Sequence, residues 1–500
     1  MRRILWWLRR DLRVHDNLVL FQALQHADAV IPVFVLDARL WNSAKLAPAR
    51  KQFLWESLAA LDANLKERGA YLVLRQGDPA REIVNLARET QADAVYFHKD
   101  YTPYARRRDE RVVAALDAAG IRAASFNELY LADPAQVVKD DGTPYTVYSR
   151  YRARFEQVVA VPPRYCLNQN LNTPPDIFSL PLQTMVLARD ARFAPGGETA
   201  AAQLAREFVT RPNGLAAYAA VREDLAADAT SHLSPHLHFG TVSVRELVRL
   251  ARDTFPATHR ARAETSAART ALENARVWLD EIVWREFFNH VLYHFPHAAR
   301  TSFRAEFSDL AWRNNPEFFQ AWCEGRTGYP IVDAGMRQLK QIGWMHNRAR
   351  MITASFLTKD LLVDWRAGEI FFLQNLIDGD MASNNGGWQW AAGTGTDAQP
   401  YFRIFNPMRQ GARFDPTGTY VRRYVPELAN VPDEFIHAPW AMPADVARQV
   451  GFALGRDYPK PIVVHATQRE QALALYRQKG KRSTMQQLEP ERNQILETNI

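Results

Sequence analysis

The chain has 500 residues, of which 47% are hydrophobic and 23% charged; this ordinary globular composition excludes a largely disordered protein and points to two or three domains. Its 62 Lys and Arg against 55 Asp and Glu leave a formal charge of +7, which favours an anionic partner such as nucleic acid without demanding one. Two cysteines, Cys166 and Cys323, exclude a disulfide framework or a cysteine-rich metal site and fit a reducing cytoplasm, and no apolar run approaches the ~20 residues of a membrane span.

Arg2 and Arg3 precede the apolar run Ile4–Leu8, but Arg9, Arg10 and Asp11 end it too early for the core of a secretory leader. Strands are predicted at Ile4–Leu8, Ala29–Leu36, Tyr71–Arg75 and Ala94–His98, and helices at Asp16–Gln25, Ala49–Arg68, Pro79–Thr90 and Tyr104–Ala119. Strands separated by helices imply parallel βαβ units, so residues 1–130 are expected to form an α/β domain around a doubly wound parallel sheet. The turn after the first strand reads Arg9-Arg10-Asp11-Leu12-Arg13 and lacks the G-x-G-x-x-G of a dinucleotide fingerprint. Arg106-Arg107-Arg108, on the last of these helices, reads as a solvated face.

Residues 131–197 contain Pro162-Pro163, Pro174-Pro175, Pro181 and Gly196-Gly197 and read as an irregular inter-domain connection. Beyond it the strand signals fade. Helices are predicted at Ala200–Thr210, Val242–Thr254, Thr265–Leu292, Pro316–Glu324, Ala334–Thr358 and Ala367–Leu376, so residues 198–475 are expected to be an all-α domain. Residues 476–500 read as a polar, basic tail that frays.

Two polar segments stand out in the helical part. Gly343-Trp344-Met345-His346-Asn347-Arg348-Ala349-Arg350-Met351 puts Asn347 and Met351 four apart on one helical face, with Arg348 and Arg350 beside it. A partly exposed helix held by salt bridges carries the same residues, so this segment alone leaves both readings open. Asp378-Gly379-Asp380, followed by Asn384-Asn385-Gly386-Gly387, concentrates carboxylates, amides and glycines, and glycines let backbone approach a ligand closely. Asp-x-Asp also occurs in metal sites, but the D-x-[DN]-x-[DN]-G calcium-loop pattern is not met and no metal is expected.

The segment from Gly343 to Pro407 resembles the FAD-binding core of the photolyase/cryptochrome family. So do Trp7-Leu8-Arg9-Arg10-Asp11-Leu12-Arg13-Val14-His15-Asp16-Asn17, Asp228-Ala229-Thr230-Ser231-His232-Leu233-Ser234-Pro235 and Trp278-Leu279-Asp280-Glu281-Ile282-Val283-Trp284-Arg285-Glu286. The resemblance covers nearly the whole chain and comes nearest to the class I photolyases of cyclobutane pyrimidine dimers. It implies an α/β antenna domain joined to a helical FAD domain. It also implies a lyase that repairs such dimers by electron transfer from photoexcited reduced FAD (FADH−). The expected setting is a monomer on UV-damaged DNA in the cytoplasm, with no membrane partner.

Residue by residue, the resemblance implies that Tyr218, Thr230, Ser231, Leu233, Ser234 and Trp278 hold FAD, the hydroxyls serving its phosphates and ribityl chain. Thr230-Ser231 is also what a plain helix cap looks like. Arg350 and Asp378 are expected to pair against the isoalloxazine ring, Asp380 to take a ring or ribityl contact, and Asn384 to face the flavin N5. Glu281, Trp284, Asn347, Arg348, Met351 and Trp390 are implied for the lesion, with Glu281 and Asn347 hydrogen-bonding its edge. The (6-4) photolyases carry histidines at the positions of Asn347 and Met351. Arg222, Arg348, Arg403 and Arg413 are expected to meet the DNA backbone, and Trp388, Trp365 and Trp312 match the family's electron-transfer chain, each among polar sequence neighbours.

Family members hold a second, antenna chromophore in the α/β domain. Tyr101-Thr102-Pro103-Tyr104 stands where methenyltetrahydrofolate binders show Asn-Glu, so 8-hydroxy-5-deazaflavin or FMN, or an empty site, is the expectation. The rival within the family is a cryptochrome, a blue-light photoreceptor with the same fold and FAD but no repair. The lesion residues and the absence of a long extension after the helical part speak for repair.

Overall fold

The computed structural model describes residues 1–167, 169–182, 189–254, 266–398, 400 and 402–478; the predicted tail beyond 478 lies outside the described residues. Five strands form one parallel sheet: β1 Arg3–Leu8, β2 Ala29–Leu36, β3 Val73–Gln76, β4 Ala94–His98 and β5 Arg122–Phe126, in the order β3-β2-β1-β4-β5. Ile4 of β1 pairs with Val30 on one side and Ala94 on the other. The inner strands are apolar along their length because a parallel sheet is covered on both faces. Their core gathers Leu5, Trp7, Ile31, Val33 and Phe97 with Ile83 and Leu86 of the helix Pro79–Glu89 and Val112 and Leu116 of the helix Pro103–Ala118.

The predicted α/β pattern is thus present, with one strand more than expected. β5 escaped because it is an edge strand, no more than half-buried, and its sequence Arg-Ala-Ala-Ser-Phe has no apolar run. Helices Leu18–His26 and Pro48–Lys66 match their predicted positions within two residues. Asn17 starts the first by accepting the Leu20 N–H at 3.0 Å.

Two expectations need correction. The stretch 131–197 is not irregular throughout: it carries the helix Tyr148–Val158, which buries Tyr151 and Phe155. The single helix predicted over Ala334–Thr358 is two, Pro330–Ile342 and Asn347–Ser355, followed by a π-helical turn Phe356–Asp360. Gly343, at φ 66°, ends the first in a left-handed conformation that only glycine adopts freely. His346 starts the second by accepting the Arg348 N–H at 3.1 Å.

In space the chain forms two compact units. The first comprises Met1–Arg222, Ala227–Pro296 and Leu373–Ala382, and so combines the sheet with the helices Glu198–Thr210, Val244–Thr254 and Ser266–His294. The second comprises Glu223–Ala226, His297–Phe372 and the chain from Ser383 on, and is helical. This grouping cuts across a division made in chain order. Among the described residues no helix is long and apolar enough to cross a membrane.

Candidate active site

In the first unit the chain returns at Leu373–Ala382, where the helix Trp365–Asn375 ends, a loop over 376–380 bears Asp378 and Asp380, and the helix Met381–Ala392 begins. The Asp380 N–H donates to the Asp378 carbonyl at 2.6 Å, and Ser234 Oγ donates to Asp378 Oδ2 at 2.6 Å. Asp380 Oδ2 sits 2.7 Å from Arg10 Nη2 and 3.8 Å from His238 Nδ1. Burial works against a charge on Asp380, yet Arg10 and His238 hold its carboxyl well below the usual range. Arg50 donates to the carbonyls of Leu376 at 3.1 Å and Gly379 at 3.4 Å, and to that of Leu373. Gly379 was expected to admit a ligand; a Cβ there would come 2.5 Å from Arg50 Nη2, so the close neighbour is a guanidinium.

Tyr218, Leu233 and Trp278, three of the residues expected to hold the cofactor, are all buried in one apolar cluster with Phe208. Thr230 and Ser231 are part-buried on the bend before the short helix Ser234–Phe239, and Arg211 Nη2 donates to the Thr230 carbonyl at 2.6 Å. An apolar wall, three nearby hydroxyls along one stretch of chain and a loop with two carboxyls, Asp380 among them held ionised, make a donor set that fits FAD: rings on the wall, polar chain on the hydroxyls. Nothing in that set recommends a metal.

Glu281 and Trp284 share a face of the helix Ser266–His294, as their spacing predicted. The structure adds partners that the sequence did not. Glu281 Oε1 lies 2.7 Å from Arg222 Nη1, so the arginine read as a DNA-backbone contact is committed to the carboxylate read as a lesion contact. Trp284 stacks on Tyr148 with ring centroids 3.6 Å apart and planes at 5°.

In the second unit, Asn347 opens the helix Asn347–Ser355, exposed, with Nδ2 4.0 Å from Met351 Sδ. Arg348 pairs with Glu223 and lies 4.5 Å from the Phe414 ring centroid; Arg413 lies 4.9 Å from the same ring. Two of the predicted DNA-contacting arginines are therefore brought together on one phenyl ring, while Arg403 is exposed on its own stretch of chain. Arg350 Nε donates to the Met345 carbonyl at 2.8 Å. Asn384 donates to the Glu369 carbonyl at 3.0 Å from within the helix Met381–Ala392. The stretch from Ser383 to Trp390, read as a tight polar segment, is helix, and Gly387 has open space where a side chain would go.

Trp388 and Trp365 are fully buried despite polar sequence neighbours; Trp312 is part-exposed. Trp388 packs against the helix that begins at Trp365, so closely that a Cβ on Gly368 would meet its Cη2 at 2.1 Å. It also meets Phe372 at 4.9 Å and Trp322 at 6.0 Å, while Trp312 lies edge-on to Tyr476 at 6.3 Å. Arg10, Arg50 and Tyr148 were not read as site residues. Only the crowding of charge after β1 hinted at the first of them.

Comparison with known proteins matches residues 4–169 to the family described as DNA photolyase and residues 278–478 to the FAD binding domain of DNA photolyase. A deoxyribodipyrimidine photo-lyase of Synechococcus sp. is 42% identical over 487 residues, covering 95% of this chain and 96% of that protein. Among solved structures, a class III photolyase from Agrobacterium tumefaciens matches with a TM-score of 0.84 at 38% identity, covering 96% of this chain and 98% of that one. A cryptochrome from Synechocystis sp. matches with a TM-score of 0.84 at 30% identity, covering 95% and 99%. An archaeal photolyase from Sulfolobus tokodaii, solved with two FAD molecules, matches with a TM-score of 0.78 at 31% identity, covering 95% and 100%.

Proposed function

Because the chain belongs to the DNA photolyase family, we propose that it splits cyclobutane pyrimidine dimers in DNA under light, as a deoxyribodipyrimidine photolyase with FAD. The observation that carries this reading is the likeness to enzymes of that name across both the sheet-bearing and the helical parts. When bound, reduced FAD supplies the electron that opens the cyclobutane ring and takes it back afterwards.

The chain's own residues bind and orient. Tyr218, Leu233 and Trp278 give the cofactor an apolar wall, and Thr230, Ser231 and Ser234 donate to its phosphate and hydroxyl oxygens. Asp380, held ionised, and Asp378 accept from N–H and O–H groups, and Arg350 balances negative charge. A neutral amide at Asn384 suits a reduced, anionic flavin better than a carboxylate would.

The lesion leaves the duplex, which costs only a few kcal/mol at a damaged step. Trp284 and Trp390 offer it apolar faces, Met351 fills space, and Glu281 and Asn347 hydrogen-bond its edge. Glu281 is already fixed by Arg222, so the thymine edge meets a carboxylate whose direction is set. Arg348, Arg403 and Arg413 serve phosphates. Asn347 and Met351 provide no proton donor of the kind a (6-4) lesion needs, so the substrate is the cyclobutane dimer. Trp388, Trp365 and Trp312 carry electrons from the surface to oxidised flavin.

For the antenna we favour a flavin or deazaflavin. The strand order turns between β1 and β4, and ligands of such sheets bind beyond the carboxyl ends of the strands at that point. Arg9, Asp37, Asp100 and Tyr104 stand there, and Tyr104 donates to Asp37. Release of the bound chromophores by heat and their identification by absorbance tests this; a folate spectrum would overturn it.

The central test is loss of dimers from irradiated DNA under blue light, with a dark control. Light-dependent loss is expected for the dimer and none for the (6-4) lesion. Glu281→Ala is expected to lower the yield per photon by an amount on the order of 2 kcal/mol in barrier, the size of one lost bond to developing charge, with FAD retained. Bound FAD without dimer loss would make the chain a photoreceptor instead.

A further inference from the structure

Two arginines of the sheet-bearing unit, Arg50 buried and Arg10 largely so, grip the loop that carries Asp378 and Asp380. Arg10 leaves the carboxyl end of β1. It reaches Asp380 at 2.7 Å, lies 3.7 Å from Asp100 Oδ2, and donates to the His238 carbonyl at 2.8 Å. Arg50 lies in the first turn of the helix Pro48–Lys66. Its guanidinium serves three carbonyls of that loop and the helix end before it, those of Leu373, Leu376 and Gly379, and that of Lys45 at 3.3 Å.

Arg50 is an expensive residue to keep there. It is 8% exposed, and among the described residues no carboxylate lies within ion-pair distance of it. A buried cation with only backbone partners is held at a cost in desolvation. Burial pulls its pKa down to about 10, and the only carboxylates countering that pull are Asp378 and Asp380. Gly379 stands between those two aspartates with its α-carbon against the guanidinium, where any side chain would collide. The Asp-Gly-Asp spacing thus reads as two charges with room for one arginine between them.

We propose that Arg10 and Arg50 are positioning residues for the flavin: from the α/β layer they fix the segment from Leu373, at the end of one helix, through the loop to Asp380 with its two carboxyls, and thereby set how tightly FAD is held and how readily it is reduced. The proposal rests on the FAD reading above. It makes the sheet-bearing part a brace for the cofactor loop as well as a place for an antenna.

The test uses the full chain with FAD, measuring the dissociation constant by flavin fluorescence and the midpoint potential by spectroelectrochemistry. Arg50→Met is expected to weaken FAD on the order of 10- to 100-fold, the size of one or two lost charge-assisted hydrogen bonds. Arg10→Met, which removes the cation in direct contact with Asp380, is expected to lower the midpoint potential, because less compensated negative charge disfavours a reduced anion; Arg10→Lys restores most of it. Gly379→Ala, which keeps both arginines but presses a methyl group onto Arg50, is expected to weaken FAD by a smaller factor. Arg108→Met is the control: Arg108 is also a buried arginine of this layer, bonded to Asp109 at 2.8 Å. It is expected to lower the melting temperature but leave affinity and potential at wild-type values. Wild-type affinity and potential in Arg50→Met and Arg10→Met would overturn the proposal, as would an equal loss of affinity in Arg108→Met. Failure of the unsubstituted chain to take up FAD would overturn the FAD reading itself.

Discussion

In the sheet-bearing unit Asp16, Glu128, Asp100 and Asp380 are buried against the guanidinium groups of Arg13, Arg245 and Arg10, whereas in the helical unit Asp333 and Asp360 are buried against hydroxyls, backbone N–H groups and a histidine. Arg245 lies 3.2 Å from Asp16 Oδ2 and 3.1 Å from Glu128 Oε1. Asp333 accepts from Thr327 N at 2.8 Å, Thr327 Oγ1 at 2.6 Å, Gly328 N at 3.1 Å and the Tyr458 hydroxyl; Asp360 meets His465 Nδ1 at 2.5 Å. The electrostatic outcomes are opposite. Burial opposes the charge on Asp100, but Arg10, Arg108 and His98 hold it at about 2. Burial dominates at Asp333 and at Asp360 and pushes each up to about 6.

The difference follows from what each set holds. Asp16, Asp100 and Asp380, each beside a guanidinium, keep their charge and hold the segments that carry them. Hydroxyl- and histidine-paired carboxyls act as staples: Asp333 ties Tyr458 to the start of the helix Pro330–Ile342, and Asp360 ties His465 to the end of the π-helical turn Phe356–Asp360. Glu286 is the exception in the first unit. Burial raises it to about 7, because Arg285 stands off at 3.6 Å and only the Leu131 and Ala132 N–H groups bond to it.

The contrast breaks first at the arginines. Arg245→Met strips Asp16 and Glu128 of a shared cation and is expected to cost on the order of 3 kcal/mol, read as a lower urea midpoint of the first unfolding transition; a change below ~1 kcal/mol would show that these pairs are not needed ionised. Asp333→Asn keeps one acceptor for Thr327 but turns an N–H toward the Gly328 N–H from which the carboxyl now accepts, so it is expected to cost about 2 kcal/mol; a loss below ~0.5 kcal/mol would mean that Asp333 is held as the neutral acid. The smallest effect is with pH. Asp333, Asp360 and Glu286 have folded values above their unfolded ones, so the folded chain binds more protons and their contribution is full below about 4 and lost as pH rises through 6 to 7. Asp100 runs the other way, its contribution full above about 4 and lost as pH falls through about 2. The contribution of each of the three raised carboxyls, measured as the difference in melting temperature from its amide variant, is therefore expected to decline between pH 5 and 7.5, by about 1 kcal/mol for each aspartate. The difference from Glu286→Gln declines likewise; one that does not change with pH would exclude Glu286 from the set.

Much of this was legible in the sequence where the signal was local. Ile4–Leu8 and Ala29–Leu36 announce buried strands by apolar composition, and Pro79 after Asp78 announces a helix start with Asp78 accepting the Ala80 N–H at 3.1 Å. β5 was illegible because an edge strand does not need two apolar faces. The helix from Met381 was hidden by its own polar and glycine residues, whose neighbours in space make up for weak propensity. The polar neighbours of Trp388 and Trp365 likewise gave no sign that both rings are buried. Asp378 and Asp380 were legible as a candidate site; Arg50, more than 320 residues away in the chain, was not.

What the sequence by itself determined is the order of elements, the class of each half and the identity of the residues that resemble a cofactor and lesion site, because periodicity and motif spacing are properties of neighbouring residues. The tertiary structure alone decided the partners. That Glu281 spends one oxygen on Arg222, that Trp284 lies flat on Tyr148, and that Gly379 yields its space to Arg50 depend on contacts between segments far apart in the chain. A buried charge is tolerated only where a partner from elsewhere meets it, and which distant group does so is set when the chain packs.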